Sequence, residues 1–410
     1  MGCCPKLAAR IRRGGSQLFF SRKRLLFPHD SSIPYFYLST MKEPDYQQAA
    51  SLFARYEEDL PSMNGAITNI SPINGGLINH SWKIECPHKP NFLLQRINTA
   101  VFHQPKHIQQ NYINIWQYAE FEFTGLRLPT PLYYSQTENL YRDEQDNYWR
   151  AFEFIDEAYT IAVAQKPAQA KATAKTFAKF TAAFDDFNTD QLKVVIPNFH
   201  NLSFRFSQLE EALSGEQYER LAKAITLIKE LKDREQYKHF YELITESPES
   251  FRTRVMHHDA KIANVLFSKK TGKVICAVDF DTVMPGYYFS DIGDIIRSMA
   301  CSEDENCTHL DQIEIRADFY DAIITGYLEV MGKQFTDAEK KYIHHAGILM
   351  IYMQALRFLG DYLNGDIYYR IQYPEQNFDR ALNQLTLLRK LECFLEKNYN
   401  YCTYKSLSAK

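Results

Sequence analysis

The 410-residue chain is expected to fold as an α+β protein of two lobes, a small antiparallel-sheet lobe followed by a large, mainly helical one. Two patterns carry this. Short apolar runs punctuated by Gly and Pro crowd the stretch from residue 67 to residue 154. Beyond residue 156, apolar residues recur at helical spacing almost to the C-terminus. No internal repeat or low-complexity tract breaks either pattern, and the length suits two lobes or domains.

In chain order, residues 1–40 are a basic extension in which Lys6, Arg10, Arg12, Arg13, Arg22, Lys23 and Arg24 precede the first acid, Asp30. Three readings compete. One is a transit-like segment. Another is an acylation signal on Met1-Gly2-Cys3-Cys4, against which Lys6 stands where Ser or Thr is usual. The favoured one is translated upstream sequence with the start at Met41. A helix is expected from Tyr46 to Glu57, with Ala49, Phe53 and Tyr56 on one face. Strands follow at 67–70, 78–84 and 92–97, around Gly75-Gly76 and Pro87. Pro105 opens a helix whose Ile108, Tyr112, Ile115, Ala119 and Phe123 share a stripe. Further strands fall at 132–134 and 148–154, completing a small lobe over 41–155, with Glu153 to Ala158 as the link. Across 156–410, Phe177, Thr181 and Phe184 mark one helix, and Leu221, Ile225, Ile228 and Leu231 another. Thr336-Asp337-Ala338-Glu339 has the form of a capping box opening a helix through Tyr342 to Tyr352.

The net charge of -3 gives no electrostatic reason to expect nucleic acid or an anionic membrane as partner. No segment has the apolar length of a transmembrane helix. None of the eight cysteines forms a Cys-x-x-Cys pair, which suits reduced thiols in a cytoplasmic protein rather than a disulfide framework or a zinc site. The 27 Tyr and 28 Phe suit helical cores and a site that stacks on flat ligands or sugar faces.

The chemistry concentrates in His258-Asp259-Ala260-Lys261-Ile262-Ala263-Asn264, followed by Val265-Leu266-Phe267, a turn at 269–273, and Val274-Ile275-Cys276-Ala277-Val278-Asp279. Two apolar runs joined by a turn containing Gly272 read as a hairpin, so Asp279 returns beside Asn264. Such a segment offers a carboxylate to an attacking hydroxyl, oxygen ligands to Mg2+ and a cation to a phosphoryl group, the three requirements of phosphoryl transfer from ATP.

The pattern H-x-D-x-K-x-x-N ending at Asn264, with Asp279 at the strand end and no Asp-Phe-Gly triplet there, resembles the protein-kinase-like superfamily in its aminoglycoside phosphotransferase and choline kinase branch. Further likeness narrows this. Asn74-Gly75-Gly76-Leu77-Ile78-Asn79-His80, Phe92 to Asn98, Asp281 to Gly286 and Arg357 to Asp366 look like N-acetylhexosamine 1-kinases. These matches spread from about residue 70 to residue 385. The resemblance implies a bilobal protein-kinase-like fold. It implies Asp259 as the catalytic Asp that accepts or orients the proton of the attacking hydroxyl, Lys261 at the γ-phosphate, and Asn264 and Asp279 on Mg2+. It also implies Asn74, Gly75 and Gly76 as the phosphate-covering turn, and an adenine site along Glu153 to Asp156, Glu153 and Ile155 included, through backbone groups.

Asp281 lies two residues after Asp279, so on a regular strand both face one side; it assists the metal or bonds a turn. His258, Asp291, Gly293 and Asp294 are read as braces of the catalytic loop, and Arg297 as a brace or a substrate contact. The lysine that kinases place on the third strand is replaced at Gln95 or Arg96, and Arg96 is the candidate because the task needs a cation. Arg357 and Asp361, four apart, share a helix face that borders the acceptor by resemblance, or form an ordinary ion pair. Tyr362, Tyr368 and Tyr369 stack on a sugar ring or fill core.

The expected function is an ATP- and Mg2+-dependent small-molecule kinase that phosphorylates the anomeric hydroxyl of N-acetylglucosamine or N-acetylgalactosamine. The alternatives are an aminoglycoside, choline, homoserine or methylthioribose kinase, and a catalytically silent pseudokinase. A cationic acceptor would need acids or an aromatic cage, for which Glu303, Asp304 and Glu305 are the candidates.

Overall fold

The computed structural model describes residues 69–401 except 74–77, 87–89, 123–124, 136 and 216. The expected helix at 46–57 and the Asn74-Gly75-Gly76 turn lie outside the described residues.

Period-two patterning builds the small lobe. In β2 (His80–Glu85) Trp82 and Ile84 are buried between half-exposed neighbours, and β3 (Phe92–Ile97) buries Phe92, Leu94 and Arg96 on the same face. With β1 (Asn69–Pro72), β4 (Pro131–Leu132), β5 (Tyr141–Arg142) and β6 (Tyr148–Glu153) these make one antiparallel sheet in the order β1-β2-β3-β6-β4, β5 pairing β6. One sheet face packs Trp82, Leu94 and Trp149 together. The other meets α1 (Pro105–Phe121), where Pro105 sits at the start and Ile108, Tyr112, Ile115 and Ala119 form the buried stripe.

After Glu153, β7 (Ala158–Tyr159) joins a three-stranded sheet with β9 (Val265–Ser268) and β10 (Val274–Ala277). β8 (Arg254–Met256) and β11 (Met284–Gly286) pair separately. The rest is helical: α2 (Pro167–Ala183), α3 (Leu202–Leu213), α4 (Tyr218–Lys232), α5 (Gln236–Glu246), α6 (Phe289–Met299), α7 (Ala317–Met331), α8 (Asp337–Lys341), α9 (His345–Leu363) and α10 (Gln376–Tyr399). Helix α9 is buried almost end to end and is the axle of this lobe. Gly293 lets α6 approach it closely, since a Cβ there would lie 2.5 Å from the Ala346 carbonyl oxygen.

Two helix expectations change. In α4 the buried stripe is Ala224, Leu227 and Leu231, while Ile225 is exposed, because the helix turns its i, i+3, i+7 face inward. The Thr336–Glu339 capping box forms with both reciprocal bonds, but the helix it opens stops at Lys341 before α9 begins. Glu339 is fully buried and also accepts from both Nη atoms of Arg254 and from the Arg252 backbone. The short helix thus positions an internal ion pair, and the chain turns again before the long one.

No helix among the described residues is long and apolar enough to cross a membrane. Cys276, Cys301, Cys307 and Cys393 carry free thiols.

Candidate active site

The catalytic segment hangs between β8 and the β9–β10 hairpin. The hairpin forms as the apolar runs require, with Ala277 opposite Val265, Val274 opposite Phe267, and Gly272 at φ 68° in the turn. Val278 N donates to Asn264 O at 2.9 Å, which brings Asp279 beside Asn264. Upstream, the buried Asp291 carboxylate at the start of α6 accepts from His257 N (2.9 Å) and His258 N (2.8 Å), pinning the loop. His258 and Asp279 both adopt positive φ, 64° and 67°, conformations that non-glycine residues hold only under tertiary constraint. The His258 ring fills the space over Gly286, where a Cβ would come within 2.5 Å of Nε2. Burial drives both histidines down to about 4, so each is neutral at pH 7 and serves the loop's shape.

Asp259 is half-buried. Its carboxylate accepts from Lys261 Nζ at 2.8 Å and Asn264 Nδ2 at 2.9 Å. Burial pushes its pKa up, but the Lys261 charge and hydrogen bond, with His257 and Asn264, outweigh this and hold it below the usual value. Asp259 is therefore ionised and aimed. Burial lowers the Lys261 ammonium while Asp259, Asp279 and Asp294 raise it further, so it stays charged. Asn264 is buried and spends its amide nitrogen on Asp259.

Asp279 is raised by desolvation, then by Asp281 and Asp259, although its carboxylate is open to the cleft and water tempers the shift. Two oxygen donors of this kind fit Mg2+, which takes one or two protein carboxylates or amides and completes its shell with phosphate oxygens. Among the described residues no three His, Cys, Asp or Glu side chains form a metal site by themselves.

Asp281 departs from expectation. β10 ends at Ala277 and Asp279 is left-handed, so the period-two argument that put Asp279 and Asp281 on one face does not apply. Both Asp281 oxygens are taken by the small lobe: Arg150 Nη2 donates to one, and Asn79 Nδ2 to the other at 2.5 Å. Arg150 and Asp281 are 3% and 4% exposed, so this is a buried clasp and not an open metal ligand.

Arg96 does not share a sheet face with Gln95. Gln95 shares its sheet face with Leu93, whereas Arg96 lies on the other face, with its guanidinium 5.7 Å from the Trp149 ring centroid. Gln95 pairs in register with Arg150 of β6 and accepts from Arg150 Nε at 3.1 Å. Arg150 was missed because its partner is 131 residues away. The available signal was a charged residue inside the apolar strand Trp149-Arg150-Ala151-Phe152, which needs a buried counter-ion. Glu153 ends β6 and accepts from Arg127 and Thr130, and Ile155 lies in the link that follows.

In the region expected to border the acceptor, Arg357 stands among the rings of Phe199, Tyr368 and Tyr369 at 5.5–5.7 Å and donates to the Tyr368 hydroxyl and Gln354. His200 stacks on Phe199 and lies 5.1 Å from His258, linking this cluster to the catalytic loop. Burial, with Arg357, Arg205 and Arg297 adding to it, drives His200 well below its usual pKa, so it is neutral. Asp361 does not pair with Arg357. It accepts from Tyr368 N (2.7 Å), Tyr369 N (2.9 Å) and Asn377 Nδ2 (2.9 Å), so it shapes the turn that presents the two tyrosines. Tyr362 is 2% exposed, packs on Phe378 and lies under Arg220; it is core. Arg297 is braced by Asp294 and Glu305 at 2.9 Å each, which also takes Glu305 out of any acidic cage, while Asp304 caps its own loop at Asn306.

A family model described as the phosphotransferase enzyme family matches residues 69–334, well over half of the chain, and the protein belongs to that family. The fold resembles the aminoglycoside phosphotransferase from Alicyclobacillus acidocaldarius subsp. acidocaldarius DSM 446, at 16% identity and a TM-score of 0.60, over 91% of this chain and 99% of that one. It also resembles the Plasmodium vivax ethanolamine kinase, at 15% identity and a TM-score of 0.56, over 87% and 94%. An amicoumacin kinase in complex with AMP-PNP and Ca2+ also matches, with 11% identity and a TM-score of 0.52, over 83% of this chain and 96% of that one. The chain is thus a member of the phosphotransferase enzyme family with a bilobal protein-kinase-like fold.

Proposed function

We propose that the acceptor is the anomeric hydroxyl of an N-acetylhexosamine, N-acetylglucosamine or N-acetylgalactosamine, and the product a sugar 1-phosphate. The observation that carries this reading is the resident cation of the acceptor side. A pocket for choline, ethanolamine or an aminoglycoside needs acids or an empty aromatic cage. Here the cage of Phe199, Tyr368 and Tyr369 already surrounds Arg357, and Glu305 is spent on Arg297. Guanidinium, tyrosine and glutamine donors suit the hydroxyls and acetamide carbonyl of a neutral sugar, and the rings suit its apolar face.

In this reading the ionised Asp259 accepts the hydrogen bond of the sugar hydroxyl and takes its proton as the oxygen joins the γ-phosphorus. The bond from phosphorus to the bridging oxygen breaks and ADP leaves with that oxygen. Lys261 turns from Asp259 to the transferring group, whose charge it neutralises. Asn264 and Asp279 hold Mg2+, which lowers the charge on the phosphates. The Asn74-Gly75-Gly76 turn, Gln95 and the Glu153 to Ile155 link form the nucleotide side.

The test is Mg2+-dependent ADP release with N-acetylglucosamine, N-acetylgalactosamine, choline, ethanolamine, homoserine and kanamycin side by side. Turnover confined to the N-acetylhexosamines supports the proposal. Turnover only with a cationic acceptor sinks it, and none with any acceptor favours a silent pseudokinase.

A further inference from the structure

Kinases of this fold hold the nucleotide phosphates with a lysine on the third strand, itself held by a glutamate on the following helix. Neither half of that pair is in place here. Gln95 occupies the strand, and α1 buries Gln109 and Asn111 but no acid. The charge pair is instead rebuilt from two other elements. Arg150 stands directly opposite Gln95 on the neighbouring strand, uses it as a rest for Nε, and reaches Asp281 of the large lobe with Nη2.

We propose that Arg150 is the small-lobe cation of the phosphate site and that Asp281 is the counter-ion that positions it there. Three features favour this over a plain structural ion pair. First, among the described residues Nη1 of Arg150 makes no hydrogen bond, so a guanidinium with five donors keeps an unspent end. Second, Asp281, to which Arg150 Nη2 donates, lies two residues from Asp279, so the guanidinium is tethered beside the segment proposed to hold the metal-bound phosphates. Third, the other Asp281 oxygen is held by Asn79, whose Oδ1 accepts from Asn98 N at 3.0 Å. Asn79 immediately precedes β2. One carboxylate therefore ties the entry to β2, the cation and the proposed metal-binding segment together across the two lobes.

The proposal rests only on the nucleotide half of the proposed function, and its test contains no acceptor. Removing one partner of a buried ion pair leaves the other charge uncompensated, so the main variant is the double one, Arg150→Met with Asp281→Asn. Its melting temperature verifies the fold. Calorimetric titration with ATP and with AMP, each with Mg2+, then reads the phosphate contact. The expected result is an ATP affinity about ten- to a hundredfold weaker, the value of a charge-assisted contact, with AMP affinity within about twofold of wild type. Adding Gln95→Lys to that variant, which returns a cation to the vacant strand position, should recover most of the ATP affinity. An unchanged ratio of ATP to AMP affinity in the double variant overturns the proposal and leaves the pair a structural clasp. If the double variant does not fold, Arg150→Lys decides on the same titrations: it keeps charge but cannot span Gln95 and Asp281 together. It should lose ATP affinity selectively, and an unchanged ratio again overturns the proposal.

Discussion

Asp361→Asn isolates the device that presents the acceptor-side tyrosines. In the wild type Oδ2 accepts from Tyr369 N and Asn377 Nδ2, both at 2.9 Å, and Oδ1 from Tyr368 N at 2.7 Å. An amide keeps most bonds with its oxygen toward Tyr369 N and Asn377 Nδ2, which turns its own donor toward Tyr368 N, so one hydrogen bond is lost. At about 1–3 kcal/mol for a buried donor left unpaired, the turn loses about 1–3 kcal/mol. The loss falls on the turn at the end of α9 that carries Tyr368. Tyr368 would then no longer be fixed against Arg357. The expected readout is a KM for the N-acetylhexosamine raised about tenfold or more, with KM for ATP within about twofold and a lower melting temperature. A lower melting temperature with an unchanged sugar KM would refute the reasoning, placing the tyrosine turn outside the acceptor site.

Other substitutions test the catalytic loop. Asp259→Asn keeps an acceptor but not a base, so kcat should fall by about 10²–10⁴ while calorimetric ATP binding persists; wild-type turnover would remove Asp259 from its role. Gly286→Ala puts a methyl group 2.5 Å from His258 Nε2 and should displace the loop, lowering kcat more than either KM; an unchanged kcat would mean that the ring yields without moving Asp259. Burial raises the Asp291 carboxyl to about 7, above its unfolded value of 3.8. The folded chain then holds that proton more tightly, so this contribution is full below about pH 4 and is lost as pH rises through 7. The melting-temperature advantage of wild type over Asp291→Asn should narrow between those limits in nucleotide-free protein, and a gap that widens would reverse the sign.

How much of this was readable in sequence follows from the range of each contact. The hairpin and the meeting of Asn264 with Asp279 are local: two apolar runs and one turn determine them, and the observed register agrees. The small sheet was legible for the same reason, since Trp82, Ile84, Phe92 and Leu94 alternate visibly. The capping box was legible as four residues but not as a five-residue helix, because what ends it is the buried contact of Glu339 with Arg254, 85 residues away. Asp281 was misread because a single left-handed residue, Asp279, breaks strand periodicity. Arg357 and Asp361 do share a helix region, but the turn at 366–369 intercepts the carboxylate before the arginine can. Arg150 stands out in sequence as a charge inside an apolar strand, but its partner does not, because no local pattern links β6 to a segment 131 positions on.

The most direct test of the account is to identify the phosphorylated atom. Protein incubated with Mg2+, ATP and N-acetylglucosamine or N-acetylgalactosamine should yield a product whose phosphorus couples to the anomeric proton in NMR, and whose phosphate is released by mild acid. Phosphate on any other hydroxyl, or no transfer to either sugar while a cationic acceptor is phosphorylated, would contradict it.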